Sequence, residues 1–137
     1  ALRETHEELG LPLECIHLKG PTNFMVTPFN FVLYPFVGVL DIVSLDHLNP
    51  NADEVERVFS VPLDFFLTHE PERHTMTTTF QTDHNFPFAK IQNGKSYNWK
   101  TGTYDILFYE YRGNVIWGMT AKIIESFVGL VKAQKNN

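Results

Sequence analysis

No stretch constrains this chain more than residues 1–11, Ala-Leu-Arg-Glu-Thr-His-Glu-Glu-Leu-Gly-Leu, a short helical run stopped by a glycine. Positions three or four apart are neighbours on a helix. Glu4 therefore lies beside Glu7 and Glu8, and Arg3 lies beside Glu7. Gly10 suits the residue after a helix, because it takes a left-handed conformation without steric penalty. That stop puts Glu7 and Glu8 in the last turn, where the helix dipole already disfavours negative charge. A divalent cation would reverse the cost, and hard cations prefer carboxylate oxygens. The plain alternative is a solvated acidic face with no function. A run this short is marginal alone, since isolated helices below about 12 residues are barely stable in water. It also lacks a Ser, Thr, Asp or Asn cap at its start.

With 137 residues the chain is one domain at most, and 43% hydrophobic content with 12 Phe and 5 Tyr is ample for a core. A formal charge of −5 argues against a protein that tracks nucleic-acid phosphates. It suits a metal enzyme with an anionic substrate, where cations supply the positive charge. The lone Cys15 excludes an internal disulfide and a cysteine-rich zinc site, and reads as a buried small hydrophobe. No apolar run approaches the roughly 18 residues of a membrane span. The last residues, Lys135-Asn136-Asn137, are not a peroxisomal address, and cytoplasm is the default expectation.

Beyond the helix, alternation over residues 13–19 predicts a strand, and Gly20 to Asn23 a turn. Residues 24–27 read as a short strand stopped by Pro28. The apolar run over 31–40 suits a strand buried on both faces, with a bulge or an edge at Pro35. A polar loop follows from His47 to Asp53. Residues 55–61 alternate and predict a strand, and Pro62 opens a short helical turn through Phe65 and Phe66. The stretch 68–101 is rich in Thr, His, Asn and Gly, with weak strands near 76–80 and 86–91. Residues 104–111 predict a strand. Residues 116–132 carry a helical apolar stripe through Met119, Ile123, Ile124, Phe127, Leu130 and Val131.

The order Arg3-Glu4-Thr5-His6-Glu7-Glu8-Leu9-Gly10-Leu11 resembles the second half of the Nudix hydrolase signature, Arg-Glu-U-x-Glu-Glu-x-Gly-U, where U is bulky and apolar. Thr5 departs from it, standing where the family has Ile, Leu or Val. Three further stretches are similar to the coenzyme A pyrophosphatase branch. They are Val26-Thr27-Pro28 with Pro35-Phe36-Val37-Gly38, then Asn49 to Val55 leading into Val58 to Leu63, and Ile116 to Lys122 on the final helix. Each also reads as ordinary turn or core sequence. The signature's leading glycine and first glutamate would fall before Ala1. The resemblance thus implies a chain that begins inside the motif, with opening strands missing. It implies an α/β fold, an α/β/α sandwich around a mixed sheet, forming a single domain over residues 1–137.

The same resemblance implies hydrolysis of a nucleoside diphosphate linked to another moiety, foremost coenzyme A or a derivative, giving 3′,5′-ADP and 4′-phosphopantetheine. Magnesium or manganese would be the cofactor. Glu4 and Glu8, one turn apart, are the first metal ligands, with Glu7 the third, directly or through water. Glu4 or a carboxylate from a later loop would take the water's proton. Arg3 completes the catalytic set by holding the acidic helix through an ion pair, with the missing upstream glutamate as its partner. Glu54 and Glu56 are either additional site carboxylates or solvated loop acids. No histidine has metal-ligand spacing; His6 occupies a variable signature position, and His69 and His74 read as surface residues. The alternatives are a pyrophosphatase for ADP-ribose or a dinucleotide, a non-catalytic nucleotide-binding module, and an inactive fragment. The partner is a small-molecule nucleotide, with no nucleic acid and no membrane, and a homodimer by analogy.

Overall fold

A computed structural model describes residues 1–27 and 31–135. The expected strand stop at Pro28 lies outside the described residues. The elements in chain order are α1 (Leu2–Leu9), β1 (Ile16–Pro21), β2 (Met25–Val26), β3 (Val32–Leu33), β4 (Phe36–Leu40), α2 (Leu63–Thr68), β5 (Glu72–Thr78), β6 (Gly102–Tyr111), β7 (Asn114–Trp117) and α3 (Gly118–Lys135). Helices and strands mix in one α/β arrangement without a regular βαβ period. The pairings among the described residues are β1–β4, β2–β3 and β5–β6–β7, all antiparallel, so the parallel pairs of a mixed sheet are not among them.

The core forms where α3 crosses β6. Alternation along β6 turns Leu107 and Tyr109 inward, and both are buried. Ala121 and Val128, two turns apart on α3, close over them, with Ile124 between. Ala121 is fully buried, because only a small side chain lets the helix approach the strand so closely. The buried line thus differs from the predicted stripe, and Leu130 of that stripe remains 37% exposed. Phe66 of α2 meets Tyr109 edge-on, with ring centroids 5.1 Å apart. Burying a side chain such as Leu107 contributes about 2 kcal/mol.

The β6–β7 hairpin turns on Arg112 (φ 50) and Gly113 (φ 77), with Tyr111 opposite Asn114. Two positive φ values define the turn whose twist matches paired strands. The predicted final helix therefore starts at Gly118, and Ile116 and Trp117 belong to β7. Trp117 lies on the far side of the sheet, stacked on Phe108 with centroids 5.9 Å apart and 59% exposed. It packs outside the core, contrary to the plain core reading of that stretch.

Other expectations shift. The apolar run 31–40 breaks at Pro35 into β3 and β4, and Phe36 and Val39 of β4 are exposed rather than buried on both faces. Residues 55–61 form no strand. Val55, Val58 and Val61 are the half-buried positions, a spacing of three that a strand's two-residue period cannot satisfy. A 3-10 turn occupies Leu13–Cys15, so the first strand starts at Ile16; Cys15 is half-buried. The weak strand at 76–80 is the end of β5, and that at 86–91 is a 3-10 turn at Phe88–Lys90.

Candidate functional site

Helix α1 has no side-chain cap, and its first bond runs from the amide of Thr5 to the carbonyl of Ala1 at 2.9 Å. Its C-terminal end is secured from outside. Gly10 takes φ 64, and its amide donates to the carbonyl of His6 at 3.0 Å. The amides of Asn49 and Asn51 donate to the carbonyls of Leu9 and Glu8, each at 3.0 Å. A Cβ on Gly10 would stand 2.1 Å from the carbonyl oxygen of Asn49, so glycine is required here for closeness as well as for conformation. His6 turns Nδ1 to the carbonyl of Leu11, which can only accept, so that nitrogen carries the proton. His6, at a variable position of the signature, thereby braces the helix end.

The carboxylates divide into a paired and an unpaired set. Arg3 holds Glu4, and its Nη1 reaches Glu7 at 3.0 Å. The nearby carboxylates, Glu4 first, raise the Arg3 guanidinium further above its ordinary value. Its partners are thus Glu4 and Glu7 of its own helix. Among the described residues Glu8 has no ion pair. No group of three His, Cys, Asp or Glu side chains among them is gathered closely enough to enclose a metal. Glu54 and Glu56 are exposed, although the segment carrying them starts at the Asn51 that docks on Glu8. The structure therefore joins two stretches that are distant in sequence, the acidic helix and the 49–55 loop.

Donor chemistry and geometry bear differently on a cation. Carboxylate oxygens suit magnesium, which keeps several waters and is usually held by one or two carboxylates plus substrate phosphates rather than by a protein cage. Glu4 and Glu8 supply oxygens of that kind one turn apart, with Arg3 already paired to Glu4.

A second polar cluster, which sequence reading missed, links β5, β6 and α3. Arg73 donates to Asp105 at 3.2 Å and to Glu125 at 2.6 Å, while the Thr75 hydroxyl donates to Asp105 at 2.9 Å. The Thr75 hydrogen bond and then Arg73 hold the Asp105 carboxyl below the usual range. Glu125 and Asp105 raise Arg73. Lys122 lies 3.8 Å from the Tyr104 ring centroid, and the cluster borders a cavity of about 300 Å³. Its charges are mutually satisfied, which marks it as a brace. His69, stacked on Phe65, and His74, paired with Glu72, are exposed surface groups as expected.

The chain is similar in sequence to Nudix hydrolases over most of its length and belongs to that family. A peroxisomal coenzyme A diphosphatase of Mus musculus is 34% identical over 100 residues, covering 71% of this chain and 42% of the relative. An uncharacterized Nudix hydrolase of Pectobacterium atrosepticum is 30% identical over 125 residues, 90% of this chain and 53% of the relative. A mitochondrial coenzyme A diphosphatase of Homo sapiens is 33% identical over 75 residues, 55% of this chain and 32% of the relative. The chain thus spans about half, or less, of the length of these relatives. No protein-family model matches it.

Proposed function

We propose that this chain is the acid-bearing part of a Nudix pyrophosphohydrolase that splits coenzyme A or a derivative into 3′,5′-ADP and 4′-phosphopantetheine. One observation carries the reading: the Arg3-to-Gly10 order lies in a chain whose relatives include proteins named coenzyme A diphosphatase. Bound magnesium or manganese would neutralise the diphosphate and lower the pKa of a water. Glu8, free of ion pairs among the described residues, and Glu4 would hold it, with Glu7 third. Arg3 keeps Glu4 and Glu7 on one side of the helix and limits their mutual repulsion. Glu4 or a carboxylate of the 49–56 loop would take the water's proton.

We also propose that residues 1–137 form one domain and pair as a homodimer. No helix is long and apolar enough to cross a membrane among the described residues. Relatives whose names give a compartment are mitochondrial or peroxisomal, so they lend no support to the cytoplasmic expectation.

Substrate class is tested by incubating the full-length protein with magnesium and coenzyme A, ADP-ribose or a dinucleotide, and separating the products by chromatography. Faster release of 3′,5′-ADP from coenzyme A than of any product from the others is expected. Preference for ADP-ribose or a dinucleotide would overturn the substrate, and no turnover of any would overturn the activity.

A further inference from the structure

Strands β5 and β6 pair without interruption from Glu72 opposite Phe108 to Thr78 opposite Gly102, yet residues 79–101 lie between them. Adjacent antiparallel strands are ordinarily joined by two to about five residues, and a much longer connection inside a compact domain usually has a binding or covering role. The core does not use this one. Its rings pack on one another instead. Trp99 meets Phe80, Phe86 and Tyr97 at 6.0, 5.8 and 4.9 Å, and Phe86 meets Phe88 at 4.9 Å. Two 3-10 turns, Phe88–Lys90 and Gly94–Ser96, fold the segment back on itself through the bond from the Gly94 amide to the carbonyl of Ile91.

Charge sets this loop apart from the rest of the chain. It carries Lys90, Lys95 and Lys100 against the single acid Asp83, in a protein whose net charge is −5. Among the described residues none of these lysines forms an ion pair, whereas Arg3, Arg73 and Lys132 all do. Each lysine lies within two positions of a ring of the cluster: Lys90 after Phe88, Lys95 before Tyr97, Lys100 directly after Trp99. The Phe80 ring is left 68% exposed. Unneutralised cations interleaved with an accessible aromatic surface suit a ligand with a flat base and a phosphate chain, because rings stack on bases and ammonium groups attract phosphates.

We propose that the 79–101 loop binds the nucleotide portion of the substrate, the base against the Phe80–Trp99 surface and the phosphates toward Lys90, Lys95 and Lys100. The assignment rests on the nucleotide substrate proposed above and adds the element that recognises it. A membrane surface would use the same two residue types, and titration with phosphatidylserine vesicles separates the two.

The test titrates ADP, without divalent metal, into full-length protein carrying Trp117→Phe, so that Trp99 reports for this chain. Saturable quenching is expected. Phe80→Ala, at an exposed ring, and the triple Lys90→Ala/Lys95→Ala/Lys100→Ala variant should each weaken it about tenfold. Glu8→Gln should leave the titration unchanged while abolishing turnover. Absence of quenching, unchanged affinity in both loop variants, or tighter response to phosphatidylserine vesicles than to ADP would overturn the proposal. Intact hydrolysis with loop-independent ADP binding defeats this inference alone. Loop-dependent ADP binding without hydrolysis defeats the enzymatic reading and supports the loop.

Discussion

At Gly10 a left-handed backbone and an approach too close for any Cβ coincide. Gly10→Ala should lower stability by about 2 kcal/mol or more, and thermal melting should fall by several degrees. Gly129 provides the contrast. It lies inside α3 with open space around it, so Gly129→Ala should raise stability by about 0.5–1 kcal/mol. Equal responses of the two glycines would contradict this account of the helix stop. Much at this scale was readable from sequence, because helix spacing alone puts Arg3 beside Glu7 and glycine after the last turn. The partners of Gly10 were not, since Asn49 is distant in sequence and only the folded chain brings its carbonyl there. Nor was the pairing of Arg3 with Glu4, a matter of side-chain rotamer rather than of spacing.

Among the elements, β6 and α3 carry the core with Phe66 of α2, and the Arg73 cluster ties β5 to the same pair. Leu107→Ala should cost about 2–5 kcal/mol, because a fully buried strand residue under a helix leaves a cavity that cannot collapse. A loss below about 1 kcal/mol in denaturant melts would contradict the core as described. Asp105 makes that tie acid-sensitive. Its carboxyl is depressed in the folded state, so its stabilisation is present above the unfolded value near about 4 and is lost as pH falls below it. Asp105→Asn should therefore flatten the stability–pH curve below about pH 4 and leave its neutral-pH shape unchanged, as read by thermal melts. Strands with strong alternation, such as β6, were legible, whereas residues 55–61 alternate in sequence and still form no strand. A period of two becomes a strand only when a neighbouring strand accepts its hydrogen bonds. The hairpin at Arg112-Gly113 was missed because Arg is an uncommon residue at a positive φ.

For the whole molecule, the acidic helix is held against β1 and the 49–55 loop, while the core gathers around β6 and α3. Similarity to Nudix hydrolases covers most of the chain, and the acids proposed above as metal ligands lie on its first helix. Helix and strand content and the acid order could be read in advance; substrate could not, because each stretch similar to the coenzyme A branch also reads as ordinary turn or core sequence. The central claim is that Glu8 binds a divalent ion needed for phosphoanhydride cleavage. The direct measurement is coenzyme A hydrolysis with magnesium by full-length wild-type and Glu8→Gln proteins, with folding matched by circular dichroism. A loss of at least about a hundredfold in kcat at unchanged melting temperature is predicted; turnover within twofold of wild type would contradict it.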